Sequence, residues 1–295
     1  MNSTLCCIVC GGKQFETVYC GAIRAGSYGK ITEDVHEVVE CNECGFRHLK
    51  EFVQMNYETD SYRENYNDSA EVEDYMSTHT LEQELRLKRI GLNRFREKKV
   101  LDFGCGGGAF LDAVKDVAHA TIGIEPMTSF HSSLLERGHQ VVVSANDPDL
   151  TDGMADVVVS FGVIEHVEDP LAHLFDIHRF LTPGGVAFLE TDNLKEILMC
   201  LALPEFERFF YRTAHAWYFS SGTLETLCHK AGFATVLPGH RHGYDLSNFI
   251  LWLRDREPTG IGRLQLLSGA SDYEWKASLE RAGLADLLLF ELTKD

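Results

Sequence analysis

The chain has 295 residues, with 45 Asp and Glu against 27 Lys and Arg, a formal net charge of -18. Its 44% hydrophobic and 24% charged residues are those of an ordinary soluble globular protein, with room for one large domain and a small appendage. No run reaches the ~18 apolar residues of a membrane helix, no signal-peptide pattern opens the chain, and the acidity repels phosphate backbones, so a cytoplasmic protein without membrane or nucleic-acid partners is expected.

Nine cysteines are an odd holding for a reducing compartment. Cys6, Cys7, Cys10, Cys20, Cys41 and Cys44 all fall in the first 44 residues. Two C-x-x-C-G knuckles stand among them, Cys7-Ile8-Val9-Cys10-Gly11 and Cys41-Asn42-Glu43-Cys44-Gly45. Each knuckle lets two thiolates reach one ion, so Cys7, Cys10, Cys41 and Cys44 are the expected ligands of a closed structural zinc site. Cys6 is an alternative to Cys7, and Cys20 a bystander. Short strands over residues 14–18 and 35–40 make the first 50 residues a zinc ribbon.

Residues 51–85 hold ten acidic residues and one arginine, half of the net charge, together with Tyr57, Tyr62, Tyr66 and Tyr75. A run of charge ordinarily marks a solvated face. Tyrosines in such a setting can bury a ring and leave a hydroxyl for a ligand, which makes Tyr62 and Tyr66 candidate substrate contacts. Leu81, Leu85, Leu92 and Phe95 recur at helical spacing, predicting a helix over residues 81–95. Residues 51–95 are thus an acidic connector leading into the main fold at residue 96.

Lys99–Phe103 reads as a strand running into a glycine turn, Asp102-Phe103-Gly104-Cys105-Gly106-Gly107-Gly108, with a helix beyond. Glycines there let the backbone approach a ligand, and a helix start presents free amides. A second strand, Ala120–Ile124, ends at Glu125, 23 residues after Asp102, where an acid can chelate ribose hydroxyls. Asp102 would repel a pyrophosphate but suits the sulfonium and amino group of S-adenosylmethionine (SAM). Further strands follow at 141–143, 156–161 and 186–191, with Asn146 and Asp147 placed to read an adenine edge. A helix at 171–181 and the turn Thr182-Pro183-Gly184-Gly185 lie between the last two strands.

L-D-x-G-C-G-x-G, E-H-V-x-D-P and L-x-P-G-G, in this order from about residue 100 to 236, resemble the class I SAM-dependent methyltransferases. The resemblance implies an α/β, Rossmann-like sheet of seven strands with the last antiparallel, completed by strands at 233–237 and 286–292. It implies that Asp102, Gly104, Cys105 (a small filler), Gly106 and Gly108 line the methionine end of SAM. Glu125 and Pro126 then sit at the ribose, Asn146 or Asp147 at the adenine, and Phe161 at the end of the fourth strand.

Ser160-Phe161-Gly162-Val163 replaces the N/D-P-P-Y/F segment of amino-methyltransferases, pointing to transfer onto oxygen or carbon. That chemistry needs a base, and His166, after Glu165, is placed for it; the alternative is a structural histidine. Relatives that bind a divalent metal at this pair carry a further acid three residues earlier. Gly162 stands there, so no catalytic metal is expected. Two inserts, near 194–222 and 239–285, are read as lids over the acceptor. In the first, Ala214-His215-Ala216-Trp217-Tyr218-Phe219-Ser220 resembles the H-x-x-Y-F-S stretch of small-molecule methyltransferases, nominating His215 and Tyr218 as further catalytic contacts. In the second, polar residues 240–248 nominate His242 and Asn248, beside Glu165, as substrate contacts.

Taken together, the ribbon, connector and core resemble zinc-ribbon methyltransferases of sugar and polysaccharide biosynthesis, acting on a small-molecule substrate. The competing expectations are a zinc-ribbon RNA methyltransferase and a non-catalytic SAM-binding scaffold. The sequence leaves the oligomeric state open.

Overall fold

The computed structural model describes residues 6–25, 30–55, 69–258, 260–262, 264 and 269–295; Tyr62 and Tyr66 lie outside them. The N-terminal part holds β1 (Phe15–Gly21), β2 (Arg24–Ala25), β3 (Lys30–Ile31), β4 (His36–Cys41) and β5 (Arg47–Leu49). Helix α1 (Ser69–Ile90) leads to β6 (Lys99–Phe103), α2 (Ala109–Val114), β7 (Ala120–Ile124), α3 (His131–Glu136), β8 (Gln140–Val142), β9 (Ala155–Phe161), α4 (Pro170–Phe180) and β10 (Leu181–Asp192). The remainder comprises α5 (Ile197–Cys200), α6 (Pro204–Phe210), β11 (Trp217–Tyr218), α7 (Ser221–Lys230), β12 (Thr235–Leu237), β13 (His240–Arg241), α8 (Leu246–Asp255), α9 (Gly269–Ala282) and β14 (Leu287–Thr293).

The main sheet runs β12-β14-β10-β9-β6-β7-β8. Strands β6 to β10 are mutually parallel, and β14 is antiparallel to both β10 and β12. The seven expected strands are all present, and the two-residue β13 adds an eighth by pairing with β14. Strand order reverses between β6 and β9, which opens a crevice beyond their carboxyl ends.

Helices cover both faces, so the strands read as apolar runs rather than alternations. Leu101, Val158 and Leu189 pack toward α4 and α7 through Leu174, Ile177, Leu224 and Leu227. Val100, Val157, Val159 and Phe188 face Phe95 and Phe110 on the other side. Helix α4 begins where Asp169 accepts the Leu171 and Ala172 amides at 2.9 and 3.0 Å, with Pro170 in its first turn.

The helix expected over residues 81–95 is displaced. It starts at Ser69 and stops at Ile90, because Gly91 takes φ 93° and Leu92–Phe95 tightens into a 3-10 turn. Leu81 and Leu92 are 57% and 41% exposed, so the apolar stripe does not mark the buried side. Over its described side chains, helix α1 instead buries Gln83 and Arg86, polar residues that an apolar pattern does not detect, beside the partly buried Leu87 and Ile90.

A second sheet has the order β1-β4-β5-β11, and its last strand comes from the aromatic insert, with Trp217 paired to His48 far back along the chain. There Trp217 lies opposite His48 and Tyr218 opposite Arg47. Phe206, Phe210 and Tyr211 of the insert pack on Ile23, Val38 and Leu49 of the cysteine-bearing part. Among the described residues no helix is long and apolar enough to cross a membrane.

Candidate functional site

A cleft of about 940 Å³ opens over the carboxyl ends of β6, β7, β9 and β10. Its floor is the glycine turn after β6. Gly104 adopts φ 83°, and a Cβ there would stand 2.5 Å from the Val163 side chain, so only glycine lets the turn close against the loop after β9. Glu125 reaches across to hold the turn: its Oε2 accepts the Gly106 amide at 2.7 Å and its Oε1 the Met127 amide at 2.9 Å. Cys105 fills the space above Gly123, where a Cβ would meet its sulfur at 2.5 Å. Gly108 caps α2.

Asp102 is buried in this floor. Burial pushes its carboxyl up to about 7, against the pull of Arg86 and with the push of Glu125. A buried acid poised at neutrality beside a second acid suits a cationic ligand and disfavours a phosphate. The donor set therefore fits SAM, with Asp102 for its charged end and Glu125 for its diol. Pro126, Asn146 and Phe161 also line the cleft. Asp147 is occupied in its own turn, accepting the Asp149 amide at 3.0 Å.

At the other end, the loop after β9 meets the insert. The Glu165 carboxylate accepts the Thr191 hydroxyl at 2.8 Å; burial, reinforced by the charge of Asp192, pushes it up to about 8. His166 Nδ1 donates to the Ala214 carbonyl at 2.8 Å, which makes Nε2 the basic ring atom. The His215 ring stands edge-on to His166 with centroids 4.5 Å apart. Burial, with Arg212 and His166 nearby, holds His215 well below the usual histidine range. Glu165, His166 and His215 each bring one ligand atom within 4.8 Å of the others. One carboxylate and two imidazoles so placed can carry a proton or hold a divalent cation.

The other nominated contacts stand outside the cleft wall. The Tyr218 hydroxyl accepts the Arg212 amide at 3.1 Å, fully buried within the aromatic insert. His242 Nδ1 accepts the Asp286 amide at 3.1 Å, and Asn248 donates to the Gly260 carbonyl at 3.0 Å.

Several cleft residues escaped the sequence reading. Glu190 receives Arg241 through both oxygens, at 2.7 and 2.9 Å, and Arg86 at 2.9 Å. Arg86 also lies over the Phe161 ring, 4.7 Å from its centroid. Asp192 ends β10; burial opposes its charge, but Arg212, His215 and Arg24 hold it below the usual carboxylate range. A glutamate and an aspartate inside an otherwise apolar strand were the available signal, since charges there need partners.

Away from the cleft, the sulfurs of Cys7, Cys10, Cys41 and Cys44 converge within 4.8 Å, with Cys7 to Cys44 and Cys10 to Cys41 at 3.5 Å each. Cys6 is exposed and outside this group. The two knuckles repeat one hydrogen-bond pattern: Gly11 N–H to Cys7 O and Gly45 N–H to Cys41 O, both at 2.8 Å. Four thiols so gathered fit a tetrahedral thiophilic ion, whose bond length of ~2.3 Å spaces its sulfurs by about 3.8 Å.

Residues 77–237 match the family model described as "Methyltransferase domain". Among known proteins, the ubiquinone biosynthesis O-methyltransferase of Pseudomonas aeruginosa is 34% identical over 104 residues, 32% of this chain and 45% of that protein. The tRNA U34 carboxymethyltransferase of Hydrogenovibrio crunogenus is 32% identical over 160 residues, 49% of this chain and 47% of that protein. C-methyltransferase NovU of Streptomyces niveus is 24% identical over 206 residues, 68% of this chain and 47% of that protein. The chain spans about half the length of these relatives. Phosphoethanolamine N-methyltransferase 2 of Haemonchus contortus superposes with TM-score 0.53 at 18% identity, covering 82% of this chain and 60% of that one. A SAM-dependent methyltransferase of Thermotoga maritima, titled a possible histamine N-methyltransferase, gives 0.51 at 21%, covering 77% and 95%. These likenesses show the shared fold. With the sheet order, the acidic cleft floor and the family match in agreement, the chain belongs to the methyltransferase-domain family and has the fold and cofactor cleft of a SAM-dependent methyltransferase.

Proposed function

We propose that this enzyme methylates oxygen or carbon of a small molecule in the cytoplasm, the acceptor being a sugar nucleotide or glycan precursor. In this reading residues 1–50 are a zinc ribbon held by Cys7, Cys10, Cys41 and Cys44. Residues 51–95 are a connector and 96–295 the catalytic domain. The observation that carries the transfer is the convergence of Glu165, His166 and His215 in the lining of the cleft that also holds Gly104 and Glu125. SAM, when bound, supplies a methyl group on a positively charged sulfur. His166 takes the acceptor proton at Nε2, its ring aimed by the Ala214 carbonyl. His215, buried and neutral, walls the site against water, and Glu165 braces it through Thr191. In-line placement in a closed cleft supplies most of the rate.

NovU, named a C-methyltransferase and matched along 68% of this chain, supports transfer to carbon. The tRNA-modifying relative supports an RNA acceptor instead; co-purifying RNA, or activity falling steeply with salt, is the outcome that favours it. The deciding experiment measures S-adenosylhomocysteine release across a panel of sugar nucleotides and glycan precursors. Turnover on one of them, reduced about a hundredfold in His166→Ala with cofactor affinity kept, is expected. Absence of turnover across the panel, or full activity in His166→Ala, overturns the reading.

A further inference from the structure

Behind one wall of the cleft stands a pair of arginines that methyl transfer does not use: Arg212 lines the cleft, and Arg24 is buried behind it. Arg24 of β2 and Arg212, which precedes the lid strand, are partners in an isolated parallel bridge. The Arg24 amide donates to Tyr211 O at 2.9 Å, and Arg24 O accepts the Thr213 amide at 3.0 Å. The two guanidiniums therefore leave the backbone close together. That of Arg24 lies over the Phe209 ring, 4.2 Å from its centroid. That of Arg212 pairs with Asp192 Oδ2 at 2.8 Å and lines the cleft with His166 and His215.

Both Nε–H groups, of Arg24 and of Arg212, are buried without a hydrogen-bond partner. The charges around them do not balance. Asp192 is the carboxylate that Arg212 reaches, at 2.8 Å, and it also stands 3.2 Å from the His215 ring. Burial and the neighbouring Arg212 lower Arg24 to about 10, which still leaves it charged at neutral pH. Two guanidiniums thus share one carboxylate. A buried charged donor is costly to leave without an acceptor, and the planar fork of arginine matches an oxyanion.

We propose that Arg212, with Arg24 behind it reinforcing its charge, forms an anion subsite beside His166 and His215, receiving a phosphate or carboxylate carried by the methyl acceptor. The proposal rests on the methyltransferase reading of the cleft and adds to it the charge of the substrate. It also gives the N-terminal cysteine-bearing part a role, since Arg24 belongs to it.

The test uses the full chain loaded with S-adenosylhomocysteine and follows thermal stability with inorganic phosphate, pyrophosphate, acetate or malonate. Ionic strength is held constant with chloride. A saturable rise in melting temperature with at least one probe is expected. Phosphate and pyrophosphate alone acting identifies a phosphorylated acceptor, and the carboxylates alone an acidic one. Arg24→Met should weaken the active probe at least about tenfold while cofactor affinity stays within about threefold. Arg24→Lys, which keeps stem and charge without the fork, serves if the methionine variant does not fold and should show intermediate weakening. No anion effect on the wild type, or equal affinity in wild type and variants, overturns the subsite. Failure of the wild type to bind S-adenosylhomocysteine speaks instead against the cofactor site, and the anion series on the unloaded protein then decides the subsite by itself.

Discussion

The indole Nε1 of Trp217 donates to the main-chain oxygen of Val167 at 2.7 Å, fastening the lid to the loop that carries Glu165 and His166. Its neighbour Ala216 is bonded on both sides: its amide to Glu165 O and its carbonyl to the Leu49 amide, each at 2.9 Å. One short segment is thus anchored in the cysteine-bearing part and in the loop of Glu165 and His166 together. Trp217→Phe keeps a ring against Phe46, which stacks on the indole at 5.9 Å, and removes only the bond. Turnover should fall about tenfold with cofactor affinity nearly unchanged, because a buried carbonyl left unpaired costs ~1–3 kcal/mol and releases the loop. Steady-state kinetics with parallel calorimetry checks this; an equal loss of both parameters refutes the anchoring role.

Asp102 gives a pH signature. Its folded pKa, about 7, lies above that of an unfolded aspartate, so this group's contribution to stability falls as pH rises from about 4 through 7. Asp102→Asn should therefore stabilise the cofactor-free protein above pH 7, by ~4 kcal/mol at the upper limit, while weakening SAM. In the wild type, SAM affinity should climb from pH 6 to 8 with release of a fraction of a proton, seen by calorimetry in buffers of different ionisation enthalpy. A flat profile in the wild type rules this out.

The cysteine cluster should report on the lid. If zinc holds the four sulfurs, Cys41→Ser or a strong chelator loosens β4 and β5, and with them β11. Amide exchange over residues 214–218 should then quicken along with exchange in the cluster itself, read by mass spectrometry. Exchange that quickens in the cluster and stays slow in the lid contradicts the coupling.

The buried set of Glu190, Arg86 and Arg241 predicts a large cost for partial removal. Glu190→Gln leaves two buried guanidiniums with only the more exposed Glu82, at 3.3 and 3.5 Å, as a direct counter-charge and should destabilise by about 3 kcal/mol. The double variant Glu190→Gln with Arg241→Met should cost less than the sum of the singles, because the second change removes an orphaned charge. Additive losses in denaturant melts would show the pairs to be independent.

The sheet was legible because each strand is an apolar run ended by a turn signal, and Asp102, Glu125, Glu165 and His166 occupy the ends of such runs. The four clustered cysteines were legible from spacing alone. The bounds of helix α1 were not, because its most deeply buried described residues are the polar Gln83 and Arg86, and the Leu87 and Ile90 beside them are only partly buried. The polar stretch at 240–248 looked like a substrate surface, yet Arg241 is spent on Glu190 and His242 on Asp286, partners far away in sequence. The strand contributed by Trp217 and Tyr218 was equally hidden, since two residues bear no period and their partners lie in β5.

That borrowed strand bears on how the chain folds. During synthesis the cysteine-bearing part emerges first, and β5 must present an unpaired edge until Trp217 and Tyr218 arrive. An open edge is a site for wrong pairing, and contacts so distant in sequence form slowly. The gathered sulfurs would hold β4 and β5 in register during that interval. The N-terminal part then behaves as a nascent clasp that shuts only when the catalytic half has been made, so a truncated product lacking residue 217 onward would be aggregation-prone from its first fifty residues.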